Sequence, residues 1–271
     1  MIKRIINNLK KPHKIPYKLI SKIKFIINKK KYNKEFYENQ QNQIFDKLNF
    51  DRNLGLKKLN KIKEKHSFLN ELEMRSEHQV LFSSLSCSTK LDINEILEIG
   101  TFDGSNAFLF SLLFENSNIE TIDLESNQDD FKNFYERKNN ISKFIEARNQ
   151  NLLRSNKINF REINSINLIN YKKKYDLIWI DGAHGYPVVC MDILNSIKLI
   201  RAGGYIICDD IHVNSINSDK MYRSNAGNET LNELKKEGII NFDLIFKRLD
   251  AENNCLEENR KFIAIVSLTT S

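Results

Sequence analysis

The chain has 271 residues, 41% of them hydrophobic, enough to bury one substantial core with a small appendage. Its four cysteines form no CxxC pair and no charged-start, apolar-core cleavage pattern opens it, so it reads as a reduced, cytosolic protein; no apolar run approaches the roughly 20 residues that would cross a bilayer. The formal net charge of +7 divides unevenly: residues 1–34 hold twelve Lys or Arg and no acid, leaving thirty basic and thirty-five acidic side chains in the remainder.

Within this basic arm Ile2, Ile5, Ile6 and Leu9 share one helical face, as do Leu19, Ile20, Ile23, Ile26 and Ile27, with Pro12 and Pro16 between them. Two short basic amphipathic helices are expected. Such an arm suits an anionic membrane surface at the periphery of the cytoplasm or a nucleic-acid backbone, and equally a solvated or partner-covered extension. Few aromatics interleave the charges, which ranks specific nucleic-acid reading last. From Leu56 to Leu85 the apolar spacing suits helices packed ahead of a sheet. A loose boundary near residue 75 therefore separates a basic, helical N-terminal extension (1–75) from the main domain (76–271).

Beyond it the pattern alternates. Strands are expected at Glu95–Gly100, Ile119–Leu124, Ile158–Ile163, Tyr175–Ile180 and Gly204–Cys208, with helices at Ser105–Phe114, around Asp130–Gln150, at Pro187–Ile200 and at Glu229–Glu237. Two closing strands, Phe242–Lys247 and Lys261–Leu268, flank a charged turn and read as an antiparallel pair. The repeated alternation implies a parallel sheet covered on both faces. The polar loop Asn214–Asn228, with Met221 and Arg223, suits a substrate lid and equally a plain surface loop.

Only nine glycines occur, and six fall in three clusters: Gly100 and Gly104, Gly182 and Gly185, Gly203 and Gly204. The segment from Ile96 to Ala107, I-L-E-I-G-T-F-D-G-S-N-A, runs from a strand through a glycine turn into a helix opening at Ser105. That arrangement presents free backbone N–H groups and a positive helix end to an anionic group. The dinucleotide spacing GxGxxG is missing, because Phe102 takes its second position. Asp123 follows Glu98 by 25 residues at the next strand end, where a carboxylate accepts hydrogen bonds from ribose hydroxyls or caps the next helix.

The residues E-I-G-T-F-D-G (Glu98–Gly104), T-I-D-L-E, Y-D-L-I-W-I-D-G-A-H-G-Y (Tyr175–Tyr186) and A-G-G-Y-I-I-C-D-D-I (Ala202–Ile211) together resemble the class I S-adenosylmethionine-dependent methyltransferases, in particular the branch of small-molecule and sugar O-methyltransferases similar to macrocin O-methyltransferase. The resemblance runs from about Ser76 to Leu268. It implies a Rossmann-like three-layer α/β sandwich with a mostly parallel seven-stranded sheet and an antiparallel last strand. It also implies that Glu98, Gly100, Thr101, Gly104, Ser105, Asp123, Asn164 and Ser165 line the S-adenosylmethionine site. Asn164 would face the adenine, or be an ordinary turn residue.

Ligands of open α/β sheets bind outside the carboxyl ends of the strands, where Asp181, Asp209 and Asp210 fall. Three carboxylates crowded there would raise at least one pKa unless a cation sits among them, and an oxygen-only set suits Mg²⁺. In the enzymes resembled, acids at these positions hold a divalent metal, which makes Asp181, Asp209 and Asp210 the expected metal set. Consecutive Asp209 and Asp210 converge only if the strand ends there; otherwise one acid binds the cofactor and another caps a loop. His184, in the loop Gly182–Gly185, is the expected proton acceptor, with Asp181 the competing base and His212 a second-tier candidate. The function that follows is O-methylation of a sugar or other small molecule with divalent-metal assistance. A metal-independent methyltransferase for another O or N nucleophile and a non-catalytic membrane-associated binding module stand as alternatives. Self-association into a homo-oligomer is left open.

Overall fold

The computed structural model describes residues 15–70, 76–133, 140–214 and 224–269. The first amphipathic segment of the arm and the loop around Met221 and Arg223 lie outside them. Three long helices come first among the described residues: α1 (Ile15–Lys31), α2 (Lys34–Lys47), capped by Asn33, and α3 (Arg52–Lys65), capped by Asp51. A shorter α4 (His78–Leu85) delivers the chain to β1 (Glu95–Ile99). There follow α5 (Ser105–Leu113), β2 (Asn118–Asp123), α6 (Asp129–Lys132), α7 (Ile141–Leu152), β3 (Ile158–Glu162), β4 (Tyr175–Ile180), α8 (Val188–Leu199), β5 (Ile200–Ile211), α9 (Ala226–Lys236), β6 (Ile240–Phe246), α10 (Ala251–Asn254) and β7 (Phe262–Leu268). The single helix expected around Asp130–Gln150 is instead two. Among the described residues the first ends at Lys132, and Asn140 starts the second, its side chain accepting the Lys143 N–H.

The strands form one seven-stranded sheet in the order β3-β2-β1-β4-β5-β7-β6, parallel except for β7, which runs antiparallel to both β5 and β6. Chain order reverses between β1 and β4, the switch point beside which open α/β sheets bind ligands. The central strands are apolar on both faces because both are covered. Alternate residues divide between two cores. Ile96, Leu177, Trp179 and Ile207 pack with Phe45, Leu59, Leu69, Phe82 and Phe110 from the helices before and after β1. Leu97, Ile178, Ile180, Ile206 and Cys208 pack with Val189, Ile193 and Leu231 from α8 and α9.

The helices preceding residue 71 thus furnish part of one outer layer, and a polar clamp fixes them to the sheet edge. The buried Gln41 amide accepts the Phe246 N–H at 2.9 Å and donates to the Phe246 carbonyl at 3.1 Å, imitating a further strand against β6. Its Nε2 also donates to Glu77, whose two carboxylate oxygens receive Arg52 Nε at 2.8 Å and a terminal nitrogen at 3.0 Å. Along α1, Ile20, Ile23, Ile26 and Ile27 are exposed. No helix among the described residues is long and apolar enough to cross a membrane.

Candidate active site

The glycine turn after β1 takes its shape from three residues with left-handed backbone, Gly100 (φ +103°), Phe102 (φ +48°) and Gly104 (φ +76°). Gly100 lies directly on the segment that follows β4: a Cβ there would stand 2.2 Å from the Asp181 carbonyl oxygen. The Asp181 N–H in turn donates to the Ile99 carbonyl at 2.8 Å. The turn and the Asp181 loop are therefore one rigid unit. Gly100→Ala combines an unfavourable φ with a backbone clash. We expect it to lower stability by at least about 3 kcal/mol, read by chemical unfolding, with any folded fraction losing the turn's shape.

Asp123, half-exposed at the end of β2, accepts the Phe102 N–H at 3.2 Å and the Leu124 N–H at 2.8 Å. It holds the turn's most strained residue and stands at the mouth of the switch point. A carboxylate offers about four acceptor positions, so this structural duty is compatible with receiving ribose hydroxyls. Asp103 accepts the Ser105 N–H at 3.0 Å and so opens α5, while Asn151 donates to the Asp103 carbonyl and to Ser105 Oγ. Thr101 is buried, its hydroxyl 2.7 Å from that of Thr121.

Glu98 points into the fold. It is fully buried, with Asn106 donating to one carboxylate oxygen at 2.7 Å and Thr121 to the other at 2.5 Å, so it ties the start of α5 to β1 and β2. Burial pushes its pKa up to about 8, against the opposing pull of the Thr121 and Asn106 hydrogen bonds. Glu98 is thus protonated when folded at neutral pH, whereas in the unfolded chain it ionises near pH 4. Between those two values the folded state holds the extra proton, so stability falls as pH rises. Glu98→Gln, close in shape and uncharged, should abolish that dependence. The stability difference between variant and parent should grow from about pH 4 to about pH 8, and a flat difference across chemical unfolding curves would refute it.

On the adenine side, Asn164 caps a short 3-10 helix, Ser165–Asn170, by accepting the Ile166 N–H at 3.1 Å, the turn-residue role. The Ser165 carbonyl accepts from Asn195. A residue the sequence pattern does not single out lies close by. Asp192 on α8 is fully buried, its Oδ2 is 3.5 Å from where a Cβ on Gly182 would stand, and burial pushes its carboxyl up to about 6. Exposed Tyr186 stands at the rim of the same loop.

The acidic cluster forms, but not by the expected route. Strand β5 does not end before its two acids; it continues to Ile211 through a bulge, with its register to β7 shifting between Cys208 and Ile211 and Asp210 at φ +52°. The bulge turns both carboxylates to one side, where Lys247 Nζ donates to Asp209 and, at 2.8 Å, to Asp210. Lys261 Nζ donates to the other Asp210 oxygen. Lys247, Asp209 and Asp210 are almost wholly buried. Burial alone would push Asp210 up, yet Lys247, His184 and Lys261 hold it well below the usual carboxylate range.

This cluster does not fit a divalent cation. A hard ion needs about six oxygens turned inward, and here two ammonium groups already occupy the carboxylates. Asp209 Oδ1 is the one oxygen of this pair with no hydrogen-bond partner among the described residues. No group of three Asp, Glu, His or Cys side chains among those residues is disposed to hold a metal. Sequence spacing missed Lys247 and Lys261 because they reach β5 only through the antiparallel β6–β7 pairing, although they flank the two closing strands.

His184 stands between the acids, its Nε2 3.7 Å from Asp181 Oδ1 and 3.7 Å from Asp210 Oδ2. Burial lowers its pKa; Asp210 and Asp209 oppose that shift, and the two lysines reinforce it. The imidazole is therefore neutral at physiological pH and available to accept a proton. His212 is buried immediately after β5. Cys190 is half-buried with its Sγ 2.9 Å from the Thr230 hydroxyl, and Cys208 lies in the strand core.

The protein-family profile described as a methyltransferase domain matches residues 97–211, from β1 through the Asp209–Asp210 bulge. Three solved structures share the chain's architecture. The O-methyltransferase TomG from Streptomyces achromogenes, involved in tomaymycin synthesis and determined with S-adenosylmethionine, is 14% identical and superposes with a TM-score of 0.53 over 88% of this chain and 100% of that one. A provisionally assigned O-methyltransferase from Klebsiella pneumoniae is 13% identical, with a TM-score of 0.52 over 88% and 99% of the two chains. Cofactor-bound Rv0187 from MTB is 15% identical, with a TM-score of 0.52 over 74% and 84%. No curated protein matches the chain. At these identities the likeness establishes the class I methyltransferase fold.

Proposed function

We propose that this methyltransferase takes S-adenosylmethionine across the carboxyl ends of β1, β2 and β4 and methylates a hydroxyl of a small polar acceptor, a sugar or glycan-like molecule, without a metal ion. One observation carries the reading: Gly100 is seated on the Asp181 backbone, so the turn that would cradle the donor and the loop that carries His184 share one frame. The donor's methionine end is assigned to Gly100–Ser105 and its ribose to Asp123. Bound there, S-adenosylmethionine supplies a sulfonium methyl group to the acceptor oxygen and leaves as a neutral thioether.

The chain's part is positional and acid–base. As the C–O bond forms and the C–S bond breaks, the hydroxyl proton passes to the neutral His184 imidazole. Asp181 and Asp210, each 3.7 Å away, stabilise the resulting imidazolium. Lys247 and Lys261 hold Asp210 ionised for that task. Asn164 and Ser165 flank the adenine side, and the sugar-like acceptor is the reading that the motif set at Tyr175–Tyr186 and Ala202–Ile211 supports.

Calorimetry with S-adenosylmethionine, followed by a screen of nucleotide-sugars and glycans for labelled methyl uptake in the presence of a chelator, tests the reading. Binding with chelator-resistant transfer supports it. Absence of cofactor binding, or transfer that chelation stops and Mg²⁺ restores, overturns it.

A further inference from the structure

Helix α1 has a side with no covering among the described residues. Its last turn is tied down: Lys29 pairs with Glu252, Tyr32 Oη donates to the Leu249 carbonyl at 2.9 Å, and the Tyr32 ring stacks on Tyr37 with centroids 4.9 Å apart. Half-buried Phe25, with the exposed Lys29 ammonium over its ring and paired to Glu252, marks the side turned to the body. On another side Ile20, Ile23 and Ile27 repeat at helical spacing, with Ile26 beside them, and they are 53%, 49%, 48% and 55% exposed respectively. Four half-exposed isoleucines on one helix form a contiguous apolar strip, of a kind that isolated surface residues do not make.

Charge identifies what covers the strip. Lys22 flanks it on one edge and Lys24 and Lys31 on the other, with Lys30 among the isoleucines, all exposed. The twelve basic residues and no acid of positions 1–34 contrast with a remainder carrying five more acidic than basic side chains. A second copy of this helix would bring like charges together. Nucleic acid would use the lysines but offers no acyl layer for four isoleucines. A surface that is apolar just below an anionic plane satisfies both, with the lysine stems running along the apolar strip and their ammonium groups reaching outward.

We propose that α1 is a docking helix that lays Ile20, Ile23, Ile26 and Ile27 into the headgroup boundary of an anionic lipid bilayer. The anchoring at Lys29 and Tyr32 fixes the methyltransferase body against the membrane instead of leaving it on a slack tether.

Sedimentation of the full-length chain with phosphatidylcholine vesicles, with and without about one-third phosphatidylserine, tests this. Binding is expected only with phosphatidylserine and should weaken steeply with salt. The triple variant Ile20→Ser, Ile23→Ser, Ile27→Ser keeps every charge and should lose at least about tenfold in partitioning. Lys22→Gln, Lys24→Gln, Lys30→Gln keeps the strip and should lose about a hundredfold. Thermal unfolding of each variant matching the parent shows that the fold is kept. Equal vesicle binding by parent and triple Ser variant overturns the proposal. So does equal binding to neutral vesicles, a concentration-dependent dimer that the Ser variant abolishes, or RNA binding that needs the lysines while vesicle binding is absent.

Discussion

Replacing His184 with Ala should reduce methyl transfer by about 10²–10⁴-fold, the range for loss of a positioned general base, while leaving S-adenosylmethionine affinity nearly intact. The imidazole stands between Asp181 and Asp210, on the loop after β4 and not on the glycine turn assigned to the donor, so its loss removes a proton acceptor without removing a residue of that turn. The pH profile separates this from a packing defect. Burial places the His184 pKa below its ordinary value of about 6.5, so the parent's rate should climb with pH below that value and be level through neutrality. His184→Ala should lose the limb together with the rate. A parent limb centred above pH 7 would contradict the assignment. If Asp181→Asn abolishes the limb while His184→Ala retains it, Asp181 is the base.

How much of this arrangement could be read from the chain depends on how far the interacting partners lie apart in sequence. The glycine turn, Asp123, the 181–184 loop and the paired acids are each local, a strand end followed by a short polar stretch, and the alternation places them on one sheet edge without three-dimensional knowledge. What spacing cannot supply is the partner that arrives from a distant element. Lys247 and Lys261 lie at the edges of the antiparallel pair, 37 and 51 residues beyond Asp210, and only the β5–β7–β6 order brings them to it. Charge counting along the motif therefore favours a metal, and the sheet order supplies two ammonium groups. The bulge at Asp210 is similarly invisible, because an Asp at positive φ leaves no mark in a hydrophobic pattern. Glu98 shows the converse. Its place in the motif invites a ligand role, and the carboxyl is also held inward by Asn106 in the first turn of α5 and by Thr121 opposite on β2.

Lys247→Met should lower stability by about 3–5 kcal/mol, because it removes one partner of a buried ion cluster and leaves Asp209 and Asp210 facing each other's charge. Lys261, a quarter exposed, is solvated in part, so Lys261→Met should cost less. The acid side of the stability curve supplies a second readout. Asp210 is held below the usual range, so its contribution is present above the unfolded carboxylate pKa and is lost as pH falls through the folded one. Without Lys247 that folded pKa rises, and the loss should begin at higher pH. The double variant Lys247→Met, Asp209→Leu removes both charges and should recover part of the deficit in a double-mutant cycle. The same substitution separates ammonium from metal as the cation of this cluster. Once Lys247 is gone, Asp181, Asp209 and Asp210 form the acidic set that spacing alone implies, and Mg²⁺ or Mn²⁺ should raise the melting temperature of Lys247→Met while leaving the parent unchanged. Equal stabilisation of both proteins would mean that Lys247 is not the cation these carboxylates are built around.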